Sequence, residues 1–312
     1  TTGTTPMLAP LANNGGGVLT RVPELGSPLL NNGGYACLGV DEIGQPRPAK
    51  DCTSGAFEES VGTGYTAVAS DGGVFAFPSP LFHGSTGALT LNKPVVAMAT
   101  TPAGLGYWLA ASDGGIFAFG NASFLGSLPQ LHVGVSDIVG IASTPDGLGY
   151  WMVGADGAVY AFGDAVFKGS LPGTGVTTTN IVGVAPHGSD GYWLVGSNGA
   201  VYAFGSANYR GGANTLVLNK EIVGIAADPT GEGYWLVGSD GGVFGYGSAS
   251  GRYFGSMGGQ HLNKPIVGIA STGDGEGYWL VASDGGVFNY GDATFQGSTG
   301  SLVLNKPVVG IS

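Results

Sequence analysis

A chain of 312 residues with 62 glycines, 43% hydrophobic and only 10% charged residues is not collagen, since no Gly-X-Y period runs through it, and is too apolar to be wholly disordered. Its formal charge of −11, with ten Lys and Arg dispersed along the chain, leaves no basic patch for nucleic acid or an anionic membrane. No apolar run approaches the roughly 18 residues of a membrane span and no signal peptide is visible, so an exported protein of this sequence is expected in its processed form.

Residues 1–60 stand apart as an N-terminal arm. The first part is rich in Thr, Gly, Asn, Pro and Leu, a composition that cannot bury a core of its own. Leu8, Leu11, Val18, Leu19, Val22 and Leu25 are sparse apolar anchors of the kind that dock into a groove or add a strand to a sheet edge. Docked on a neighbouring copy, such an arm generates a ring or a filament; strapped across the rest of its own chain, it does not, and the sequence leaves both open. The two cysteines, Cys37 and Cys52, bracket a stretch containing Pro and Asp. Bridged, they would close a loop of roughly 15 residues and contribute about 3 kcal/mol in the chain-entropy model; the alternative is two unrelated reduced thiols. Low Lys, acidic balance and a Gly/Thr/Ser-rich surface favour the oxidising, extracellular setting in which disulfides persist.

From residue 61 to 312 one unit recurs six times, anchored by Tyr65, Tyr107, Tyr150, Tyr192, Tyr234 and Tyr278 at intervals of 42, 43, 42, 42 and 44. A period of this size means blades, solenoid turns or helical repeats, and the abundant Gly and short β-branched or aromatic bursts dismiss helix. In the last complete unit strand A is predicted over 265–270, B over 277–283, C over 287–290 and D over 294–297. The B-to-C connection Ser-Asp-Gly-Gly, at 239–242 and again at 283–286, is a hairpin signal. Strand B, as in Tyr234-Trp235-Leu236-Val237, is apolar without alternation, so both its faces must be covered. The chain stops on a strand A, Pro307 to Ser312, while the first unit opens at Tyr65 without one. Joining the two ends completes the array and removes its open edges. The expectation is an all-β, six-bladed β-propeller of four-stranded blades, closed by the C-terminal strand pairing into the first blade, with a non-repetitive N-terminal arm.

The run Gly277-Tyr278-Trp279-Leu280-Val281-Ala282-Ser283-Asp284-Gly285-Gly286-Val287-Phe288, followed by Gly291-Asp292-Ala293 and Phe295-Gln296-Gly297-Ser298, resembles the Gly-Tyr-Trp-Leu repeat of proteins secreted by actinobacteria. The resemblance spans about residues 64–312 and recurs in phase. It implies a Gram-positive, actinobacterial, exported origin, and it brings no catalytic residues with it. The first unit departs from the pattern, with Thr66 where the others carry Trp108, Trp151, Trp193, Trp235 and Trp279, and with Phe77-Pro78-Ser79-Pro80 in place of Phe-Gly.

Candidate sites are few. Asp71, Asp113, Asp156, Asp240 and Asp284 recur in the B-to-C turn, with Asn198 in the fourth unit; one carboxylate per loop suits an Asx turn rather than calcium, which needs six or more oxygens. The Tyr-Trp pairs, which could stack on sugars, read as packing between blades. His83, His132, His187 and His261 fall in different repeat phases and no pair has metal-ligand spacing; the position of His83, shared by Leu125, Lys168, Arg210, Phe254 and Gln296, reads as an outer rim. Asp274 and Glu276 read as solvated turn residues. No nucleophile elbow, phosphate loop or Cys-x-x-Cys is present, and no cofactor or metal is called for.

The D-to-A loops, 128–137, 171–180, 212–220 and 258–264, vary most and share one face with the Asp-Gly-Gly turns, so Gln130, His132, Thr177, Asn214, Gln260 and His261 mark the expected ligand face. The leading functional expectation is a non-enzymatic extracellular structural protein, a subunit of a cell-surface or filamentous assembly that self-associates through its arm. The alternative is a module of the cell envelope that binds cell-wall glycan or protein; a propeller enzyme such as a glycosidase or lyase comes third. No nucleic acid and no membrane span are expected.

Overall fold

The computed structural model describes residues 64–78, 81–229 and 231–312, together with the backbone of two short paired strands, β1 (Ala12–Asn13) and β2 (Leu19–Thr20). The chain divides into two units, Thr1–Gly62 and Thr63–Ser312. The cysteine pair Cys37 and Cys52 and the arm anchors Leu8, Leu11, Val18, Val22 and Leu25 lie outside the described residues, and of Leu19 only the backbone is described.

The second unit is all-β. Its eighteen strands are β3 (Tyr65–Ala69), β4 (Val74–Phe77), β5 (Val95–Thr100), β6 (Gly106–Ala111), β7 (Ile116–Gly120), β8 (Ile138–Ser143), β9 (Gly149–Gly154), β10 (Val159–Gly163), β11 (Ile181–His187), β12 (Gly191–Gly196), β13 (Val201–Gly205), β14 (Ile222–Ala227), β15 (Gly233–Gly238), β16 (Val243–Gly247), β17 (Ile266–Ser271), β18 (Gly277–Ala282), β19 (Val287–Gly291) and β20 (Val308–Ile311). They form six three-stranded antiparallel sheets. Five are built from consecutive strands, and the sixth, in the order β20-β3-β4, joins the C-terminal strand to the first two strands of the unit.

The middle strand of every sheet is buried at each position, from Tyr65–Ala69 to Gly277–Ala282. This is what the unbroken apolar run of strand B requires: one face packs on the preceding sheet and the other on the following one. The first strands of neighbouring sheets also touch, β5 with β8, β8 with β11, β11 with β14, β14 with β17, β17 with β20, and β20 with β5. Each carries a register shift near its start, as between Ile138 and Gly140, which adds a residue and increases local twist. Gly140 permits the close approach that follows: a β-carbon there would stand 3.0 Å from Val153 and 3.2 Å from Val184 of the next sheet.

The expected fourth strand is not part of these sheets. Residues 294–297, and their counterparts in the other units, run without ladder pairing. A glycine with φ between 127° and 136° interrupts this segment in each unit, at Gly84, Gly126, Gly169, Gly211, Gly255 and Gly297, and that conformation is incompatible with a continuing strand. Side chains supply the missing hydrogen bonds instead.

The two ends of each sheet differ. At one end the turn between its second and third strands meets the start of the loop to the next sheet, through amide-to-carbonyl bonds such as Leu128 to Gly114 and Met257 to Gly241. At the other end the turn between the first two strands meets the exit of the third, as where Thr144 of one lies 3.2 Å from Asp164 of the other. No helix among the described residues is long and apolar enough to cross a membrane.

Candidate functional site

The unpaired segment that follows each sheet displays one aromatic ring to solvent. Phe82, Phe124, Phe167, Tyr209, Tyr253 and Phe295 occupy equivalent positions in the six units and are 50% to 64% exposed. Large apolar side chains scattered singly over a surface need no explanation, but a recurrent, in-phase set does.

The rings are held by buried aromatic residues on both sides. The indole Nε1–H of Trp108, Trp151, Trp193, Trp235 and Trp279 donates to the carbonyl of the residue immediately before the displayed ring, at 2.7 to 3.0 Å. The Tyr hydroxyl of the following unit then donates to the carbonyl of the Gly two residues after the ring, as from Tyr192 to Gly169 at 2.6 Å and Tyr278 to Gly255 at 2.6 Å. The same hydroxyl accepts from the amide between, as from Lys168 at 3.1 Å and Phe254 at 3.2 Å. Burial pushes the Tyr150, Tyr234 and Tyr278 phenols up to about 12, so they remain protonated donors at neutral pH.

These Trp and Tyr side chains are themselves almost wholly buried and stack across sheets, Trp108 on Tyr150 at 5.5 Å and Trp279 on Tyr65 at 5.4 Å. They serve packing, as the sequence indicates, and they also position a second, outer set of rings. By sequence alone that outer set falls in strand D, where an aromatic residue is ordinary. The signal that separates the two cases is the glycine two positions on, which stops the ladder.

In the first unit Thr66 replaces Trp and is buried, so Phe82 is held from one side, by Tyr107, whose hydroxyl donates to Gly84 and accepts from the His83 amide at 3.1 Å. Phe82 also lines a cleft of about 460 Å³ between the loop that precedes β20 and the turn joining β3 to β4. Asp71, Phe75, Ser85, Val303, Asn305 and Lys306 are among the other residues that line it.

The residues expected to mark the ligand face, Gln130, His132, Thr177, Asn214, Gln260 and His261, are all exposed, and His132 adopts a positive φ of 58°. They belong to four loops beside the turns. One of these loops exposes Leu216 and Val217, and the loop before β20 exposes Leu302 and Val303, the two valines completely.

At the position of His83 several side chains lie against the next unit. Lys168 pairs with Asp190 at 3.9 Å and Arg210 with Glu232, while Leu125 lies beside Gly163. His83 is half-buried against the Tyr107 ring, and its Nε2 is buried without a hydrogen-bond partner. His187 bonds Ser206 at 2.9 Å.

The carboxylates act as turn holders. Oδ1 of Asp71, Asp113, Asp156, Asp240 and Asp284, and of Asn198, accepts the amide two residues on at 2.8 to 3.0 Å, which is an Asx turn. Asp274 is more than a solvated turn residue: it accepts from Thr272 at 2.8 Å and from the Glu276 amide at 3.1 Å. Glu276 in turn lies 3.7 Å from Arg252, which also meets the buried Asp228 at 3.5 Å. Two acid pairs share a Thr hydroxyl, Asp146 with Asp164 and Asp274 with Asp292. In each, the first carboxyl is held below its ordinary range by hydrogen bonds and the second is raised, first by desolvation and then by its neighbour. Among the described residues no three His, Cys, Asp or Glu side chains come together as a metal-binding group.

No protein-family model matches the sequence, and no curated protein matches it.

Proposed function

We propose that residues 61–312 are a six-bladed β-propeller closed through β20, and that the protein is a non-enzymatic, extracellular binding module that grips extended glycans of the cell envelope. The observation that carries this reading is the set of six displayed aromatic rings. Pyranose rings present apolar C–H faces that stack on aromatic side chains, and six equivalent platforms on one body make repeated contacts with a repetitive polymer. The flanking Trp and Tyr hydrogen bonds fix the backbone at five of the six platforms, which lowers the ordering cost of binding. The −11 charge disfavours polyanions and suits neutral chains. Electrophoresis of the full chain through gels containing soluble neutral polysaccharide tests it: retardation that falls in Tyr209→Ala and again in Tyr209→Ala/Phe295→Ala supports the reading, and equal mobility of all three proteins removes it.

A second reading, a self-assembling subunit, draws on the fully exposed Val217 and Val303 and the adjoining Leu216 and Leu302, apolar side chains suited to contact with another copy. Its connector, in the sequence reading, is the arm. Electron microscopy of the full chain beside a protein beginning at Gly62 decides it: filaments or rings from the first alone favour the arm as connector, and single discs from both end the idea.

A further inference from the structure

We infer that the cleft between the last loop and the first turn is a discrete subsite for one or two neutral pyranose residues, separate from the polymer-length contacts of the other rings. The inference rests on the glycan reading and deepens it.

A volume of about 460 Å³ lies within the ~300–1,000 Å³ typical of small-ligand sites, room for one or two pyranose rings. Its chemistry is that of a sugar hydroxyl array. Phe82, which is 50% exposed, shares the lining with Phe75 and with the polar side chains of Asp71, Ser85, Asn305 and Lys306. A sugar hydroxyl both donates and accepts, so a carboxylate, an ammonium, an amide and a hydroxyl around one stacking surface are complementary to a neutral polyol. A charged sugar would meet one favourable and one unfavourable ion. An apolar peptide would leave the ionic rim unused and its own backbone unpaired.

The site also falls where the repeat is irregular. Phe82 is the displayed ring without an indole behind its backbone, because Thr66 stands where Trp stands in the other five units. It is therefore held from the Tyr107 side alone, which leaves it more room to adjust against a bound ring.

The test uses the full chain with cellobiose and diacetylchitobiose as short probes, followed by ligand-observed magnetic resonance, and cellohexaose as the long probe, followed by calorimetry. Asp71→Asn is the informative variant: Asn198 makes the same turn bond at 3.0 Å in the fourth unit, so the turn is kept while the charge is lost. Loss of a charge-assisted hydrogen bond is expected to weaken disaccharide binding about tenfold, and Phe82→Ala to weaken it about five- to tenfold. Tyr209→Ala should leave the disaccharide unchanged and weaken only cellohexaose. Disaccharide affinity that is unaltered in Asp71→Asn and Phe82→Ala overturns the subsite while leaving the wider glycan reading intact. Binding of none of the three sugars overturns both.

Discussion

The hydroxyl of Tyr65 donates to the carbonyl of Gly297, 232 residues away, and accepts the amide of Gln296 at 3.1 Å. The same tyrosine stacks on Trp279 at 5.4 Å. Every other unit makes the same hydroxyl bond to a glycine of the unit just before it in sequence, so Tyr65 joins the pairing of β20 with β3 in engaging the two ends of the repeat array. Tyr65→Phe keeps the ring and removes the hydroxyl, leaving a carbonyl and an amide without their partner at a cost of about 1–3 kcal/mol. Urea unfolding should report a lower midpoint with an unchanged slope; a midpoint equal to wild type would show that water replaces the hydroxyl.

Trp235 separates packing from positioning. Its Nε1–H donates to the Arg252 carbonyl at 2.9 Å, next to the displayed Tyr253. Trp235→Phe should therefore raise amide exchange at 252–254 well beyond the change at 208–210, the counterpart in the preceding unit, with a stability loss of about 2–4 kcal/mol from the cavity and the lost bond. Uniform acceleration across both segments would mean that the indole only fills space.

The turn carboxylates are predicted to be interchangeable with amides. Asp240→Asn should alter stability by less than about 0.5 kcal/mol, whereas Asp240→Ala should cost about 1 kcal/mol, because only the first keeps the bond to the Gly242 amide. Thermal melts of the wild type and both variants, with calcium and with chelator, provide the check, and a calcium-dependent midpoint in wild type alone would return these loops to the metal reading.

The acid pairs set a pH dependence with a defined sign. Asp164 and Asp292 are raised in the folded chain, so the native state holds protons that the unfolded state has released, and stability falls as pH rises from the ordinary carboxylate range through the raised values. Asp146 and Asp274 are lowered; their contribution is present above the ordinary range and is lost only as pH falls through the lowered values. The contribution of these pairs to stability should thus pass through a maximum near the ordinary Asp value, at about pH 4. Asp164→Asn/Asp292→Asn should flatten the neutral side of that maximum; a melting temperature profile of the double variant that parallels wild type from pH 7 downward would refute the assignment.

The repeat and its middle strands were legible because a strand covered on both faces writes an unbroken apolar run, as in Tyr234-Trp235-Leu236-Val237, and because Asp-Gly pairs mark the turns that follow. The pairing of β20 with β3 was legible from the mismatch between the two ends of the array. The displayed rings were not. Phe295-Gln296-Gly297-Ser298 has the composition of a short strand, and its departure from the ladder depends on hydrogen bonds from Trp279 of its own unit and from Tyr65 at the other end of the chain. Partners at such distances leave no local mark. The subsite was hidden for the same reason, since Asp71 and Lys306 are brought to one cleft only by the meeting of the first and last units.

The composite sheet β20-β3-β4 means that the unit of sequence and the unit of structure are out of step by one strand. Each segment counted from tyrosine to tyrosine supplies the second and third strands of one sheet and the first strand of the next. A gene that gains or loses such a segment in frame would change the number of sheets without cutting any of them in two, and the first and last segments would still have each other's edge to complete. Copy number can therefore drift by whole units during evolution while the join between the ends is inherited unchanged.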